Sequence, residues 1–424
     1  MLAWFVMTKI DLSPNRLLHV RNDLGLFNII NLTDCYDIVK PFFNFVCNNK
    51  SFNYRQLSIQ SDQHICYQLY SKTKKLNLFS RIHNDLEPFK NRKILLKDIE
   101  NISNSCVSCH HIQIIQNKLY IVPRSTASNY ETRSRSIKLL IKHMMDTFSD
   151  IPDLDLFFDV GDVVELPKGF NDVLFNVPIF AFTKSNTKKI GLRPDAIVLM
   201  PCFTLWGWPE ARAGRWSKVF QSILNASRQI DYEKRIPKLF WRGGDMWKRT
   251  WYINTAKQYR NTTDIAAMNW VRTIVDVSLS VSNTYATLEQ HCNYKHLLHL
   301  EGNTYSSRLK YLLLCGSSVV YDPVERWEEY WYHLLKNGKN VIFVERINNE
   351  IAFNKTFQFL QNHENVTKEI GKQGQQLVQN YLNEHAVSCY WRNLLHEYTK
   401  LFEYKPTLHP NAIYIDDFIL SNIP

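Results

Sequence analysis

Leu297-Leu298-His299-Leu300-Glu301-Gly302-Asn303-Thr304-Tyr305-Ser306-Ser307-Arg308-Leu309-Lys310, running on to Leu314-Cys315-Gly316, reads as a strand, a turn and a helix in direct succession. The apolar run stops near Leu300, Gly302 turns without a Cβ, and Asn303 or Thr304 caps. Leu309, Leu312 and Leu313 then fall at helical spacing, and Gly316 ends the helix. A helix therefore begins where Ser306, Ser307 and Arg308 stand. Its backbone N–H groups and dipole favour an anion, and the Arg308 guanidinium adds a fork that fits two phosphate oxygens. The plainer reading is a capped helix carrying a surface arginine.

Outward from this stretch, short β-branched or aromatic runs alternate with helical periodicity from about residue 118 onward. Strands are predicted over 118–122, 154–160, 179–183, 196–200, 239–243, 297–300, 318–321 and 341–345. Such alternation means βα units and parallel sheets, and two sets of them define an α/β chain of two doubly wound domains facing a cleft. A length of 424 residues agrees, since single cores stop growing at about 250–300. The boundaries are read as a loop-rich N-terminal extension over 1–110, a first Rossmann-like domain over 111–230, a second over 231–385 and a C-terminal helix over 386–424. A break is placed between Asn225 and Pro237. Two apolar stripes, Ile370-Leu377-Val378-Tyr381-Leu382 and Tyr390-Leu394-Leu395-Tyr398-Phe402, make the tail helical.

Hydrophobic residues at 45% exclude a disordered chain, and a net charge of +11 favours an anionic partner. Nucleic acid is set aside, because no zinc-finger spacing, RNP-like strand or basic heptad occurs. The basic patches at 72–75, 133–142 and Lys248-Arg249 read as solvated faces. No run approaches the roughly 20 apolar residues of a membrane span, and Met1 to Met7 lacks the basic lead and cleavage site of a signal peptide.

Two more segments carry chemistry. Leu239-Phe240-Trp241-Arg242-Gly243-Gly244 ends a strand at a glycine pair, and ligands of open α/β sheets gather at such carboxyl ends. Arg249 there suits a phosphate, whereas Arg242 suits a phosphate or a structural ion pair equally. Asp162 follows the strand 154–160 beyond Gly161, either as a solvated loop carboxylate or as a base facing a cleft. Asp153-Leu154-Asp155 has the D-x-D spacing of metal-dependent transferases but is read as a solvated pair, so no metal is expected. Nine cysteines leave at least one unpaired. Cys106-Val107-Ser108-Cys109-His110 has the haem-attachment pattern, but a large Trp-rich chain is the wrong setting, which leaves a short disulfide, a structural thiol pair or, least, zinc. Seven Asn-x-Ser/Thr sequons lean weakly towards a secretory compartment.

Taken in order, these segments resemble glycosyltransferase family 90, the Rumi-like protein O-glucosyltransferases and fungal capsule xylosyltransferases, over roughly residues 112–406. Supporting pieces are Lys118-Leu119-Tyr120, Met200-Pro201 with Phe203-Thr204-Leu205-Trp206, Trp208-Pro209-Glu210, Tyr294-Lys295 and Cys389-Tyr390-Trp391. The resemblance implies a glycosyltransferase B-type fold whose C-terminal helix returns to the first domain. It implies inverting transfer of glucose or xylose from a UDP-sugar to a hydroxyl of a protein, such as a Ser of an EGF-like domain, or of a glycan. No cofactor or metal is required.

By the same resemblance Asp162 is the catalytic base. Arg308, Arg249 and Arg242, with Ser306, Ser307 and Gly302, surround the donor diphosphate, and Trp206 and Trp208 lie on the acceptor side. Disulfides are implied for Cys292 with Cys315, Cys106 with Cys109, and Cys389 with Cys66 or Cys47. The implied location is the lumen of the endoplasmic reticulum or Golgi, although the chain ends Ser421-Asn422-Ile423-Pro424 without a retention signal. Two departures stand out: Asp159 replaces the Asn three residues before the base, adding a charge expected to raise the base's pKa, and Lys-Asn-Gly-Lys-Asn at 336–340 replaces Pro-Trp-x-His-Tyr. They support an alternative, a relative that binds glycan or nucleotide without turnover.

Overall fold

Period-two alternation settles which face of a sheet each side chain takes. In the computed structural model, residues 17–21, 27–31, 66, 77–106, 108–124, 130–164, 176–185, 194–268, 285–344 and 349–421 are described. The chain divides into two units, residues 1–61 and 62–424. In the first, β1 (Leu17–Arg21) and β2 (Phe27–Asn31) form an antiparallel pair with Leu17 opposite Asn31.

The second unit holds two main sheets. One is built from β3 (His110–Ile115), β4 (Lys118–Val122), β5 (Leu154–Phe158), β6 (Ile179–Ala181), β8 (Ile197–Leu199) and β17 (Ile413–Tyr414), in the order β17-β4-β3-β5-β6-β8. The other is β12 (Thr263–Ala267), β11 (Ile236–Gly243), β13 (Tyr294–Leu300), β14 (Ser318–Asp322) and β16 (Ile342–Phe343), in that spatial order and parallel throughout. Leu239, Trp241, Leu298, Leu300 and Val320 on one face pack with Tyr252, Phe353 and Phe357. Phe240, Leu297, Val319 and Tyr321 on the other join the main core.

The first sheet corrects the expectation of parallel strands. β3 runs antiparallel to both β4 and β5, and only the β5-β6-β8 part is parallel. The β3–β4 hairpin turns on Gln116 and Asn117, at φ 50° and 57°, a two-residue turn with both residues left-handed. The stretch read as loop-rich contains helices at Ser80–Leu86 and Leu96–Ser105, the second started by Asp98, which accepts from the Leu95 N–H. The Trp216–Gln229 helix takes up the first residues of the stretch from Asn225 to Pro237 in which the break was placed.

The C-terminal helices are Glu364–Tyr381 and Glu384–Thr399. The latter returns to the first sheet: Tyr390 donates to the Leu199 carbonyl at 3.2 Å and Tyr398 to that of Asp155 at 3.1 Å. Two short strands, β7 (Lys184–Ser185) and β15 (Trp327–Glu328), pair antiparallel and strap the two sheet systems together. A hairpin of β9 (Gly207–Trp208) and β10 (Ala213–Arg215) leads into the Trp216–Gln229 helix. Disulfides join Cys66–Cys389, Cys106–Cys109 and Cys292–Cys315, and Cys202 is free and buried. Among the described residues no helix is long and apolar enough to cross a membrane.

Candidate functional site

At the carboxyl edge of the parallel sheet, Trp241 anchors two cations. The guanidinium carbons of Arg308 and Arg249 lie 5.4 and 5.5 Å from its ring. Arg249 is fixed by bonds to the carbonyls of Glu301 (2.9 Å) and Gly244 (3.0 Å), and Arg308 donates to the Arg242 carbonyl. Among the described residues no carboxylate pairs with either. Burial, then repulsion by Arg249, lowers the Arg308 pKa to about 9; burial lowers Arg249 to about 10 against a smaller pull from Asp245. Two dehydrated like charges without a counter-ion are costly, and an arriving anion relieves that cost.

Glycines make the close approach possible. A Cβ on Gly243 would stand 2.9 Å from an Arg308 nitrogen and 2.6 Å from the Trp241 ring, and one on Gly302 would stand 3.0 Å from the Tyr305 carbonyl and 3.6 Å from an Arg249 nitrogen. His299, which sequence reasoning passed over as a strand residue, lies 1% exposed with neither ring nitrogen hydrogen-bonded among the described residues. Burial, then Arg308 and Arg249, hold it well below its usual pKa, so it remains neutral.

The helix itself begins later than the sequence suggested. It spans Leu309–Leu314, and Arg308 caps it without a side-chain cap bond. So short a helix adds little dipole, and the arginines supply the positive potential. Ser306 is buried without a side-chain hydrogen bond among the described residues, whereas the Ser307 hydroxyl is drawn to Cys202 Sγ (3.2 Å) and Thr204 Oγ1 (3.3 Å). Arg242 takes the ion-pair alternative, donating to Asp264 Oδ1 at 2.6 Å.

On the first sheet, β5 runs into the bend bearing Asp162. The buried Asp159 carboxylate accepts from the Gly161 N–H and the Ser108 hydroxyl, shaping that bend; a Cβ on Gly161 would lie 2.9 Å from Asp159 Oδ1. Asp162, its side chain 40% exposed, accepts at Oδ1 from Arg133 Nη1 at 3.0 Å. Burial works against the Arg133 charge, but Asp162, Tyr305 and Cys202 together outweigh it and raise the Arg133 pKa.

A short run of contacts joins the two corners. The Arg133 guanidinium carbon lies 5.1 Å from the Phe203 ring; next along the chain, Cys202 Sγ lies 3.0 Å from the Tyr305 hydroxyl, and Lys310 donates to Thr204 Oγ1. Trp208 packs edge-on against Phe203 at 6.4 Å, beside this path. Trp206 is covered by Arg215 at 4.2 Å and faces His143 at 6.1 Å. Asp153 accepts from the Gln116 N–H, and Asp155 is buried with His111, Gln113 and Tyr404 as donors, so the D-x-D carboxylates serve separate partners. Residues 336–340 close a turn through Asn340, which accepts from the Lys336 N–H and donates to the Leu334 carbonyl. Beside it a cavity of about 850 Å³ is lined by Tyr321, Asp322, Arg326, Trp327, Tyr332 and Asn337, excluding the two arginines but bordering the loop whose N–H groups bind Glu301.

An α/β chain with two buried guanidiniums, unpaired among the described residues, at a sheet's carboxyl edge has a place suited to an anionic group. More narrowly, this chain belongs to glycosyltransferase family 90, since the profile described as "Glycosyl transferase family 90" matches residues 71–421. Protein O-glucosyltransferase 1 of Homo sapiens is 25% identical over 340 residues, 77% of this chain and 80% of its own. The O-glucosyltransferase rumi of Drosophila melanogaster is 23% identical over 346 residues, 79% of each chain. A solved glycosyltransferase from Rickettsia africae ESF-5 overlays with a TM-score of 0.33 and 11% identity, covering 56% of this chain and 68% of that one, too slight a likeness to bear on fold or function.

Proposed function

We propose that this chain transfers glucose or xylose from a UDP-sugar to a protein hydroxyl with inversion, Asp162 acting as base and Arg308 and Arg249 receiving the diphosphate. The observation that carries the reading is the pair of buried guanidiniums without a carboxylate partner among the described residues. The names of the family relatives favour glucose and a protein acceptor. A glycan acceptor is the other form of the same reading. Donor charge is met by arginine, so no metal is needed, and EDTA is expected to leave turnover unchanged. The nucleoside is assigned to the cavity beside Asn337.

Three disulfides, together with exposed sequon asparagines at Asn101, Asn225, Asn261, Asn354 and Asn365, favour an oxidising lumen of the secretory pathway. The binding-only alternative drew on Asp159 and residues 336–340; the first shapes the bend that carries Asp162, and the second is a closed turn. The test is UDP release from UDP-glucose and UDP-xylose, with and without a disulfide-bonded EGF-like domain. Release that depends on the domain supports protein glycosylation, and no release from either donor leaves the binding-only reading.

A further inference from the structure

Arg133 belongs to a stretch read from sequence as a solvated face, yet it is clamped on three sides. Its Nη1 donates to the Val160 carbonyl, two residues beyond β5, and to Asp162 Oδ1, both at 3.0 Å. Its guanidinium carbon lies 4.4 Å from the Tyr130 ring and 5.1 Å from the Phe203 ring. The group cannot swing without losing two hydrogen bonds and two ring contacts. Asp162, by contrast, stands on a bend with its side chain 40% exposed and, among the described residues, bonds through its carboxylate only to Arg133. Untethered, such a carboxylate would sample several rotamers, and most would miss a reacting hydroxyl.

We propose that Arg133 is a positioning residue for transfer: it holds Asp162 through Oδ1 and leaves Oδ2 turned to the acceptor. The inference rests on Asp162 being the base. In the step it serves, the acceptor O–H bond breaks and its proton passes to Asp162 Oδ2. The acceptor oxygen bonds to the anomeric carbon while the bond from that carbon to the diphosphate breaks, and the electron pair leaves with the diphosphate. Both Arg133 hydrogen bonds and both ring contacts are to the protein itself, so its loss is expected to act on turnover and not on donor affinity.

The experiment uses the full chain, UDP-glucose and a disulfide-bonded EGF-like domain, reading released UDP for kcat and KM and calorimetry for UDP affinity. Arg133→Ala is expected to lower kcat about 100-fold with UDP affinity held within about twofold; Arg133→Lys, which keeps the charge and one donor, recovers about tenfold of that loss. Combined with Asp162→Asn, Arg133→Ala is expected to add no further loss. Parental turnover in Arg133→Ala overturns the proposal, as does a loss of UDP affinity in step with kcat, or an equal slowing of Asp162→Asn. If Arg133→Ala loses its cooperative melt, Arg133→Gln, which keeps a donor and the stem between the rings, replaces it under the same criteria. Parental turnover in Asp162→Asn alone removes the base itself, and that variant retains Arg133, so the two failures are distinguishable.

Discussion

The two corners of the site handle charge in opposite ways. At Trp241, Arg308 and Arg249 stand dehydrated with carbonyls as their partners, a positive potential that no ion pair among the described residues cancels and Asp245 only partly offsets. At the end of β5, Asp162 and Arg133 already neutralise each other and remain partly open to water. The first corner gains its energy from what binds, so its residues should govern affinity. The second gains nothing from charge alone and should govern rate through placement.

The comparison breaks first on Asp162→Asn. Turnover is expected to fall about 100- to 10,000-fold with UDP affinity within about twofold, and a matching loss of UDP affinity would merge the two corners into one. Next, Arg308→Ala is expected to weaken UDP binding about 30- to 150-fold by calorimetry, the loss of a charge-assisted fork. Acidity sharpens the contrast at the level of stability. Burial holds His291 and His296 near a pKa of about 4, so both stay neutral when folded but protonate near 6.5 when unfolded. Their contribution to stability is therefore full above about pH 6.5 and falls towards pH 4, by a few kcal/mol at most. The fall should show as a lower urea midpoint at pH 5 than at pH 7.5, and bound UDP should lessen it. Smallest of all, Arg242→Ala is expected to change UDP affinity less than about twofold, because its guanidinium is spent on Asp264.

Four strands of the parallel sheet were legible because β11, β13, β14 and β16 each carry a short apolar stretch, and because Gly243 and Gly302 mark where backbone and arginine meet; β12, Thr-Asp-Ile-Ala-Ala, has no such stretch and was missed. The first sheet was less so. β3 hides behind Gln116-Asn117, a turn without glycine, and the two-residue β17 is too short for any period to register. The helix start at Leu309 was misplaced because Tyr305 and Ser307 are claimed by Cys202 from the other sheet system, a tertiary pull with no local signal. Arg133 was missed for the same reason: its partner lies 29 residues further along, and charge runs look alike whether they face water or a carboxylate.

The pairing of Ile413 and Tyr414 with Ile121 and Tyr120 bears on how the protein can be handled. Cutting the chain ahead of residue 413 would bare the outer rim of β4, and a naked rim recruits strands from neighbouring molecules. Samples shortened there should grow larger with concentration in light scattering, and a fusion partner is better joined through a flexible spacer beyond Ser421 than abutted to the pairing.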